Sequence, residues 1–548
     1  MDARVTPAAL VALPNGRAPW QPTLQARWAD TLPELAVPCQ AQRWPAPRLA
    51  WLHDAVADAL GWPSEALQGP QGVALLAGAA LPPGARPVAL VYAGHQFGRW
   101  AGRLGDGRAL LLGEVACPNG ALVDVGLKGS GATPLARGGD GRAALGPMLR
   151  EALVSEAMHA LGIPTTRTLA VLTTGDTVWR DGPQPGAWLV RVAASHLRVG
   201  TFQWVAALDD LGLLQRLWRF AAQRHDPALL EGLNPDACDP DRVQAWLRAV
   251  VQRQARLVAL WMGVGFIHGV MNTDNMAISG ETIDYGPCAF MEGYDPATVH
   301  SSIDLGGRYA WGNQPRIAQW NLARLAETLL PLLHPDHDTA VALATDAVRA
   351  FGPAYQRAWR AVMRAKLGLA APYPGGAASP VAWPPTVPAQ DDAWAEDDDA
   401  LITDWLNALA AERVDWTLAH RRLADAVADA AQAGLGALPE HAPAPLHALW
   451  SEAAPLQRWW GRWRARCARD GVGAPARAAA MRRANPGYIP RNQRMEEVLH
   501  AALAGDLAPA RAFAAVLRHP FDEQPGAARW ATPAPPEWAQ RYVTFCGT

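Results

Sequence analysis

Several polar side chains that could do chemistry lie close together between positions 265 and 286. Asn275 stands seven residues after His268, and Asp284 begins an Asp-Tyr-Gly triplet nine residues after Asn275. Amide and carboxylate oxygens are hard ligands that both Mg²⁺ and Mn²⁺ accept. An asparagine on a catalytic loop and an aspartate on the next strand hold the metal in kinase-type phosphoryl transfer. The spacing therefore predicts that Asn275 and Asp284 bind Mg²⁺ or Mn²⁺.

The same segment lacks the usual proton acceptor of that chemistry. The position two residues after the histidine is Val270, and valine cannot accept a proton. Asp274, directly before Asn275, is the candidate replacement. The pattern leaves three functions open: an ATP-binding scaffold that turns over nothing, a small-molecule phosphotransferase, or a different group transfer that uses Asp274. Val270 argues against the phosphotransferase.

Lysine is almost absent from this chain. Of its 49 basic residues only Lys128 and Lys366 are lysines. Lys128 ends an apolar, strand-like run, and Glu151 follows 23 residues later on a predicted helix. A strand lysine paired with a helix glutamate beside a nucleotide is the arrangement of protein kinases. Glu156, on the same predicted helix, is the alternative partner.

A glycine-rich turn at 102–108 joins two predicted strands before Lys128. Gly105 and Gly107 would let backbone N–H groups approach phosphate oxygens closely, and Arg108 adds a bidentate donor. The alternative interpretation of such a turn is an ordinary hairpin. The turn is therefore a candidate phosphate site that depends on the other motifs for support.

Further charged residues follow in an array that ordinary kinases do not need. Asp140 and Gly141 lie in a loop after Lys128, Arg191 lies on a predicted strand, and Arg198 follows it. Several guanidinium groups near a triphosphate indicate that the phosphates are held in an unusual orientation. The alternative is that these arginines form surface ion pairs.

The elements that must position these residues form two groups. Short apolar runs bounded by glycine predict strands at 88–92, 108–115, 121–128, 168–174 and 187–193, with a helix at 147–161. After position 200 the periodicity becomes helical, with helices at 252–264, 319–333 and 339–367. We therefore predict an α+β, protein-kinase-like fold, with a small β-rich lobe containing one helix and a helical second lobe.

The composition along the chain divides it into five parts. We predict an N-terminal extension of helices and loops at 1–87, a β-rich lobe at 88–200 and a helical lobe at 201–370. A proline-rich and then acidic stretch at 371–399 reads as a linker or loop. Helices resume at 400–548.

Length and charge exclude several classes of protein. The 548 residues are half hydrophobic and 18% charged, which excludes a largely disordered chain. The net charge of −2 does not fit a globally basic nucleic-acid binder. The arginine- and tryptophan-rich stretch at 458–466 fits helix packing better than nucleic-acid binding. With no long apolar run and no signal peptide at the start, we expect a soluble, cytoplasmic protein without membrane or nucleic-acid partners.

Five long motifs closely resemble the selenoprotein O (SelO/YdiU) family. They are VYAGHQFGRWAGRLGDGR at 91–108, LKGSGATP at 127–134, GDGR at 139–142, SEAMH at 155–159 and HGVMNTDNM at 268–276. The resemblance extends over nearly the whole chain. It implies a kinase-fold pseudokinase that transfers AMP from ATP to hydroxyl side chains of client proteins. Some bacterial members are also described as transferring UMP with Mn²⁺.

The resemblance also implies a role for each candidate residue. The family binds ATP flipped relative to kinases, which would account for the arginine surplus. Asp274 would accept the proton, Asn275 and Asp284 would hold the metal, and Glu151 would pair with Lys128. The implied nucleotide contacts are Gly105, Gly107, Arg108, Lys128, Asp140, Gly141, Arg191, Arg198 and Asp284.

One feature departs from the family pattern. Some members pair the C-terminal cysteine or selenocysteine with a cysteine in the loop after Asp-Tyr-Gly. Cys546 is present here, but the expected partner position is His300. Cys288 is the alternative partner in that region, so the sequence leaves open whether the tail has a redox role.

Overall fold

The structure is a computed structural model that describes residues 20–234, 238–369, 384, 394–434 and 438–545. Most of the predicted linker at 371–399 lies outside the described residues. Its end does not continue as a loop, because helix Ala395–Glu412 begins there with Glu396, Asp397 and Asp398 in its first turn. Carboxylates are favourable at a helix N-terminus, so this acidic run starts a helix.

The strands of the described residues are short at the N-terminal end and long in the centre. In chain order they are β1 (Ala36–Pro38), β2 (Arg48–Leu52), β3 (Val88–Leu90), β4 (Gly94–Gln96), β5 (Arg99–Ala101), β6 (Ala109–Ala116), β7 (Leu122–Lys128), β8 (Ala143–Ala144), β9 (Arg167–Trp179), β10 (Pro183–Ala193), β11 (Phe266–Ile267) and β12 (Ala289–Phe290).

The helices follow mostly after the strands. They are α1 (Arg27–Thr31), α2 (Asp54–Leu60), α3 (Ser64–Gln68), α4 (Pro70–Leu76), α5 (Leu145–Ala160), α6 (Val199–Ala207), α7 (Leu211–His225), α8 (Pro240–Gly263), α9 (Gln314–Thr328), α10 (Leu330–Leu333), α11 (His337–Arg349), α12 (Phe351–Leu367), α13 (Ala395–Glu412), α14 (Trp416–Gln432), α15 (Ala444–His447), α16 (Ala453–Arg469), α17 (Ala474–Ala484), α18 (Asn492–Leu503), α19 (Ala508–Leu517), α20 (Ala528–Ala531) and α21 (Pro536–Arg541). Short 3₁₀ turns lie at Pro33–Leu35, Pro227–Leu230, Thr273–Asn275 and Trp311–Asn313.

The main sheet is antiparallel and has the strand order β1-β3-β6-β7-β10-β9-β2, with β8 paired to β10. Both ends of this order come from the N-terminal segment, because β1 pairs with β3 and β2 pairs with β9. The prediction that residues before 88 form only helices and loops was therefore wrong. The N-terminal segment completes the sheet.

Alternation along β10 gives the sheet an apolar core on both faces. Ala187 and Leu189 belong to the core on the α5 side, whereas Trp188 and Val190 belong to a second core with the N-terminal helices α2–α4. The strand at 187–193 and the helix at 147–161 were predicted, and both are present. The described chain is therefore mixed α and β, with its antiparallel sheet in the N-terminal part.

The helical part surrounds α8, which packs against α9, α11 and α12. This helix begins twelve residues before the predicted start, at Pro240, where the side chain of Asp239 accepts from the backbone N–H of Asp241. The predicted helix at 339–367 is divided into α11 and α12. Pro353 has no N–H to donate to the carbonyl of Arg349, so α11 ends there.

The C-terminal helices pack against both parts of the molecule. Helices α18 and α19 contact α5, and α14 and α17 contact α12. The tryptophan-rich helix α16 is part of this packing: Trp459, Trp460 and Trp463 are buried, and Arg466 pairs with the buried Asp398. None of the helices in the described ranges is both long and apolar enough to cross a membrane.

Lys366, one of the two lysines, is buried at the end of α12. Its ammonium lies 5.9 Å from the ring centroid of Trp416, and only 1% of the residue is exposed. His420 is adjacent and its pKa is held well below the usual range by burial and by Lys366. Burial lowers the pKa of Lys366 to about 7.

We expect Lys366→Met to change how stability depends on pH. Between about pH 7 and 10 the unfolded chain keeps a lysine proton that the folded chain has lost, so the free energy of unfolding of the wild type rises with pH. The stability advantage of Lys366→Met should therefore shrink by about 2 kcal/mol between pH 7 and pH 9. Urea unfolding of both proteins at each pH measures this. A constant difference would show that Lys366 titrates normally in the folded state.

Candidate active site

The register of β7 and β10 places two cations side by side. Lys128 is opposite Leu189, and Arg191 is opposite Gly126. Because alternate residues share a face, Lys128 and Arg191 both project towards α5. Lys128 and Arg191 are only 8% and 4% exposed. Two buried positive charges therefore need carboxylate partners.

Glu151 on α5 is the first of those partners. Its Oε2 lies 2.6 Å from Lys128 Nζ, and its Oε1 lies 2.7 Å from Arg191 Nη2. The alternative partner, Glu156, lies one and a half turns further along α5 and contacts Arg518 and His53 instead. Of the two glutamates, the one that contacts Lys128 is Glu151.

Asp284 is the second partner and joins three cations. Its Oδ1 lies 2.7 Å from Lys128 Nζ and 2.6 Å from Arg191 Nη2, and its Oδ2 lies 3.0 Å from Arg198 Nη1. Asp284 has a φ of 64°, a left-handed conformation that aspartate tolerates better than most residues. Strain of this kind is concentrated at functional sites.

Arg198 reaches Asp284 from a segment that crosses between the sheet and the helical part. Arg198 forms an antiparallel bridge with Ala277, just before the turn to Asp284. The guanidinium packs over the ring of Tyr92 at 4.8 Å, and Nη1 donates to the backbone carbonyl of Asp274 at 2.8 Å. Its Nε is buried and has no hydrogen-bond partner within the described ranges.

The two carboxylates of the cluster, Asp284 and Glu151, stay ionised despite burial. Burial alone would raise the pKa of Asp284, but Arg191, Lys128 and Arg198 hold it well below its usual range. The same balance applies to Glu151: burial would raise its pKa, but Arg191 and Lys128 lower it below the usual value. Lys128, Arg191 and Arg198 outnumber these two carboxylates. Asp106 adds a weaker contact, 3.8 Å from Arg198.

The glycine-rich turn lies at the start of β6, which pairs with the end of β7. Gly105 has a φ of 117°, and a β-carbon on Gly107 would lie 3.0 Å from the Cα of Ala136, so both positions favour glycine. The carbonyl of Arg108 accepts from the N–H of Gly129, next to Lys128. The turn predicted from sequence therefore lies beside the strand end that carries Lys128.

Asp140 and Gly141 belong to a loop that leaves and rejoins the end of β7. A bridge between Ser130 and Arg142 closes this loop. Gly141 packs against the backbone of Ala132, and Asp140 forms two 3.0 Å hydrogen bonds with Arg180 rather than joining the Lys128 cluster. Asp140 thus forms an exposed, surface-type ion pair with Arg180.

Asp274 lies in a short turn that is covered by the β4–β5 hairpin. His95 N donates to Thr273 Oγ1 at 2.6 Å, and Gln96 Nε2 donates to Asp274 Oδ2 at 3.3 Å. Asp274 Oδ1 is buried without a hydrogen-bond partner among the described residues, and burial raises the pKa of Asp274 to about 6. A β-carbon on Gly94 would lie 2.9 Å from this oxygen.

Asn275 has a geometry that fits metal binding. Its Nδ2 donates to the carbonyl of Val270 at 3.0 Å, so the amide oxygen is the atom available as a ligand. Together with the carboxylate of Asp284 it offers the hard oxygen donors that Mg²⁺ and Mn²⁺ accept. No cluster of three or more His, Cys, Asp or Glu that could hold a metal occurs in the ranges described, so further ligands would have to come from a substrate or water.

His268 has a structural position behind this segment. It is buried, and its Nε2 contacts the carbonyl of Ile283, the residue before Asp284.

Sequence analysis missed three residues that touch the site: Tyr92, Gln96 and Asp106. Their motif was recognised at 91–108, but nothing in its spacing distinguishes side chains that face the site from those that support the turn.

The C-terminal tail lies against the loop that follows Asp284. Thr544 donates from its N–H to the carbonyl of His300 at 2.7 Å and from Oγ1 to the carbonyl of Pro287 at 2.6 Å. Cys546 lies outside the described residues. Burial raises the pKa of the Cys288 thiol to about 11.

Comparison with known proteins identifies the family. The model of the family "Protein adenylyltransferase SelO" matches residues 21–518. The chain belongs to the SelO family. It is 51% identical over 531 residues to "Protein nucleotidyltransferase YdiU" of Mycolicibacterium smegmatis, covering 96% of this chain and 98% of that protein.

Two further proteins named "Protein nucleotidyltransferase YdiU" are similar over most of their length. The one from Cereibacter sphaeroides strain KD131 is 51% identical over 506 residues, 92% of this chain and 95% of the relative. The one from Chromobacterium violaceum is 50% identical over 519 residues, 94% of this chain and all of the relative. The predicted resemblance to SelO is thus confirmed.

The contrast between the two glutamates of α5 gives a direct test of the cluster. Glu151→Gln should weaken binding of a nucleoside triphosphate at least tenfold, because Lys128 and Arg191 lose the carboxylate that orients them. The matched variant Glu156→Gln, which alters the contacts to Arg518 and His53, should bind with the wild-type Kd. Isothermal titration with a non-hydrolysable ATP analogue measures both, and equal losses would contradict the assignment.

Proposed function

We propose that this protein transfers AMP from ATP to serine, threonine or tyrosine hydroxyls of client proteins and releases pyrophosphate. The observation that carries the proposal is the buried cluster in which Lys128, Arg191 and Arg198 converge on Asp284. Three cations are held in fixed positions by two carboxylates, Glu151 and Asp284. Such a cluster can bind the negatively charged oxygens of a polyphosphate. Membership of a family named for protein adenylyltransferases supports the AMP group in particular.

The proposal includes a kinase-like arrangement of two lobes. Support comes from the bond between a strand lysine and a helix glutamate, Lys128 and Glu151, on the sheet side. On the helical side, Asn275 and Asp284 stand at the kinase spacing. The segment with Arg198 pairs with residues next to Asn275 and so joins the two sides.

A divalent cation on Asn275 and Asp284 would supply charge neutralisation at the phosphates when bound. The chain's own residues would do the rest. Arg191, Arg198 and Lys128 would hold the leaving pyrophosphate, while the turn at Gly105 and Gly107 would contact the nucleotide through its backbone. This orientation leaves the α-phosphorus towards Asp274. Asp140, Gly141 and Arg108 would contact the nucleotide from the loop edge.

The transfer step breaks one bond and forms one. The client hydroxyl oxygen attacks the α-phosphorus, the bond between that phosphorus and the α–β bridging oxygen breaks, and pyrophosphate leaves. The hydroxyl proton passes to Asp274 Oδ1, the carboxylate oxygen left without a hydrogen-bond partner among the described residues. Asp274 thereby replaces the base that Val270 cannot provide.

Position-specific radiolabels separate the proposed function from its alternatives. ATP labelled at the α-phosphorus should label a client protein, and ATP labelled at the γ-phosphorus should not. Asp284→Ala should abolish labelling, because it removes the metal ligand and the partner of three cations. Label from the γ-position would indicate phosphoryl transfer, and no label on any protein or small molecule would indicate a scaffold. Parallel reactions with α-labelled UTP, each with Mg²⁺ or Mn²⁺, measure UMP transfer.

The role of Asp274 has a separate signature. Asp274→Asn keeps the size and the contact to Gln96 but cannot accept a proton, so kcat for transfer should fall about 10²–10⁴-fold. Affinity for the ATP analogue should stay within about twofold, since the side chain of Asp274 does not belong to the cation cluster. If kcat is unchanged, the proton acceptor is another group. Val270→Ala is the matched control in the same segment and should retain activity.

A further inference from the structure

The β4–β5 hairpin brings its outer surface next to the proposed proton acceptor. Besides the bonds of His95 and Gln96 to the turn, Phe97 N donates to Asn272 Oδ1 at 2.9 Å. The hairpin is therefore attached at three points to residues 272–274. The hairpin therefore borders the turn that holds Asp274.

Five exposed or half-buried side chains on and beside the hairpin are cationic or aromatic. We call Arg99, Trp100, Arg103, Arg308 and Trp320 the acceptor surface. Arg99 and Arg103 are exposed, and Trp100 is 49% exposed. The guanidinium of Arg308 lies 4.9 Å from the Trp320 ring centroid and packs against Gly98 at the hairpin tip.

Among the described residues, the three arginines of this surface lack a carboxylate partner. Within the described part of the chain, Arg99, Arg103 and Arg308 form no ion pair with a carboxylate, whereas neighbouring Arg324 pairs with Glu327 at 2.5 Å. Asp304, four residues before Arg308, does not pair with its guanidinium: it is buried and accepts from the backbone N–H groups of Arg308 and Tyr309.

The whole chain carries a net charge of −2, whereas the acceptor surface contributes three arginines, two of them exposed and Arg308 half-buried. The surface is therefore more cationic than the chain as a whole. Stacking fixes Arg308 at low entropic cost, since its planar group rests on an aromatic ring. A negatively charged partner would neutralise this positive charge and bind the guanidinium that the aromatic ring holds in place.

We propose that the acceptor surface binds an acidic segment of the client protein, next to the hydroxyl that is modified. This inference rests on the proposed function and adds the chemical class of its acceptor. The surface contributes binding and positioning, while the reacting atoms stay at Asp274 and the cation cluster. The preference should be for aspartate or glutamate within a few residues of the modified position.

A cationic surface could instead bind the phosphates of ATP or a single-stranded nucleic acid, and each alternative predicts a different result. If these arginines contacted the phosphates of ATP, their replacement would weaken binding of the ATP analogue. If they bound single-stranded nucleic acid, which also uses arginine and aromatic groups, an oligonucleotide would bind through the same residues. The protein acceptor is favoured because the hairpin is bonded directly to the turn that holds Asp274.

The experiment uses the full-length protein and three synthetic serine peptides that differ only in flanking residues: glutamate, glutamine or lysine. Transfer from α-labelled ATP should have a KM roughly tenfold lower for the glutamate peptide than for the glutamine peptide, with similar kcat. Raising the salt concentration should reduce this difference. The double variant Arg99→Glu, Arg308→Glu should reverse the preference towards the lysine peptide, at unchanged affinity for the ATP analogue.

The matched control is Arg458→Glu, a charge reversal at an exposed position of α16, which should keep the wild-type order of peptides. An unreversed preference in the double variant, a loss of ATP-analogue binding, or competition by a single-stranded oligonucleotide that needs Arg99 and Arg308 would each overturn the acceptor surface. If the wild type labels the peptides equally, the acceptor surface fails while AMP transfer stands. If it labels neither peptides nor proteins, the proposed function fails as well.

Discussion

The buried contact between Asp284 and three cations is the interaction on which the site depends. Ions are costly to bury unless each is paired, and here the pairs come from β7, β10, α5, the segment before α6 and the turn after Ile283. No single element can satisfy its own charge. The cluster therefore requires the sheet, the helix and the helical part to be in one arrangement, and removal of any member leaves an uncompensated charge in the interior.

The same electrostatics suits polyphosphate binding. A phosphate chain carries the kind of charge that Asp284 and Glu151 now provide, and arginines bind it through fixed, bidentate donors. Arg198 also donates to the backbone carbonyl of Asp274, so one side chain touches both the anion site and the turn that holds the proposed proton acceptor. In the proposed reaction, charge neutralisation and proton transfer would thus depend on groups joined by one side chain, which favours positioning as the main contribution to rate.

The sequence predicts the parts of the site that depend on local pattern. The strand at Lys128, the helix at Glu151 and the spacing of Asn275 and Asp284 all follow from periodicity and short motifs. The edge strands β1 and β2 were missed because they are short, lie in a proline-rich segment and are strands only through pairing with distant residues. The pairing of Asp140 with Arg180 was missed for the same reason, since it depends on the β9–β10 hairpin folding back over the loop.

Moving the proposed proton acceptor from position 270 to 274 changes where the acceptor substrate must approach. Asp274 is held from outside by Gln96 of the hairpin, and Gly94 leaves only enough room for the carboxylate. The hairpin thus lies directly against both carboxylate oxygens of the proposed proton acceptor. In the proposed reaction the hairpin would therefore support the proton acceptor and border the bound client, so that Arg99 and Arg308 would help to select which protein chains are modified.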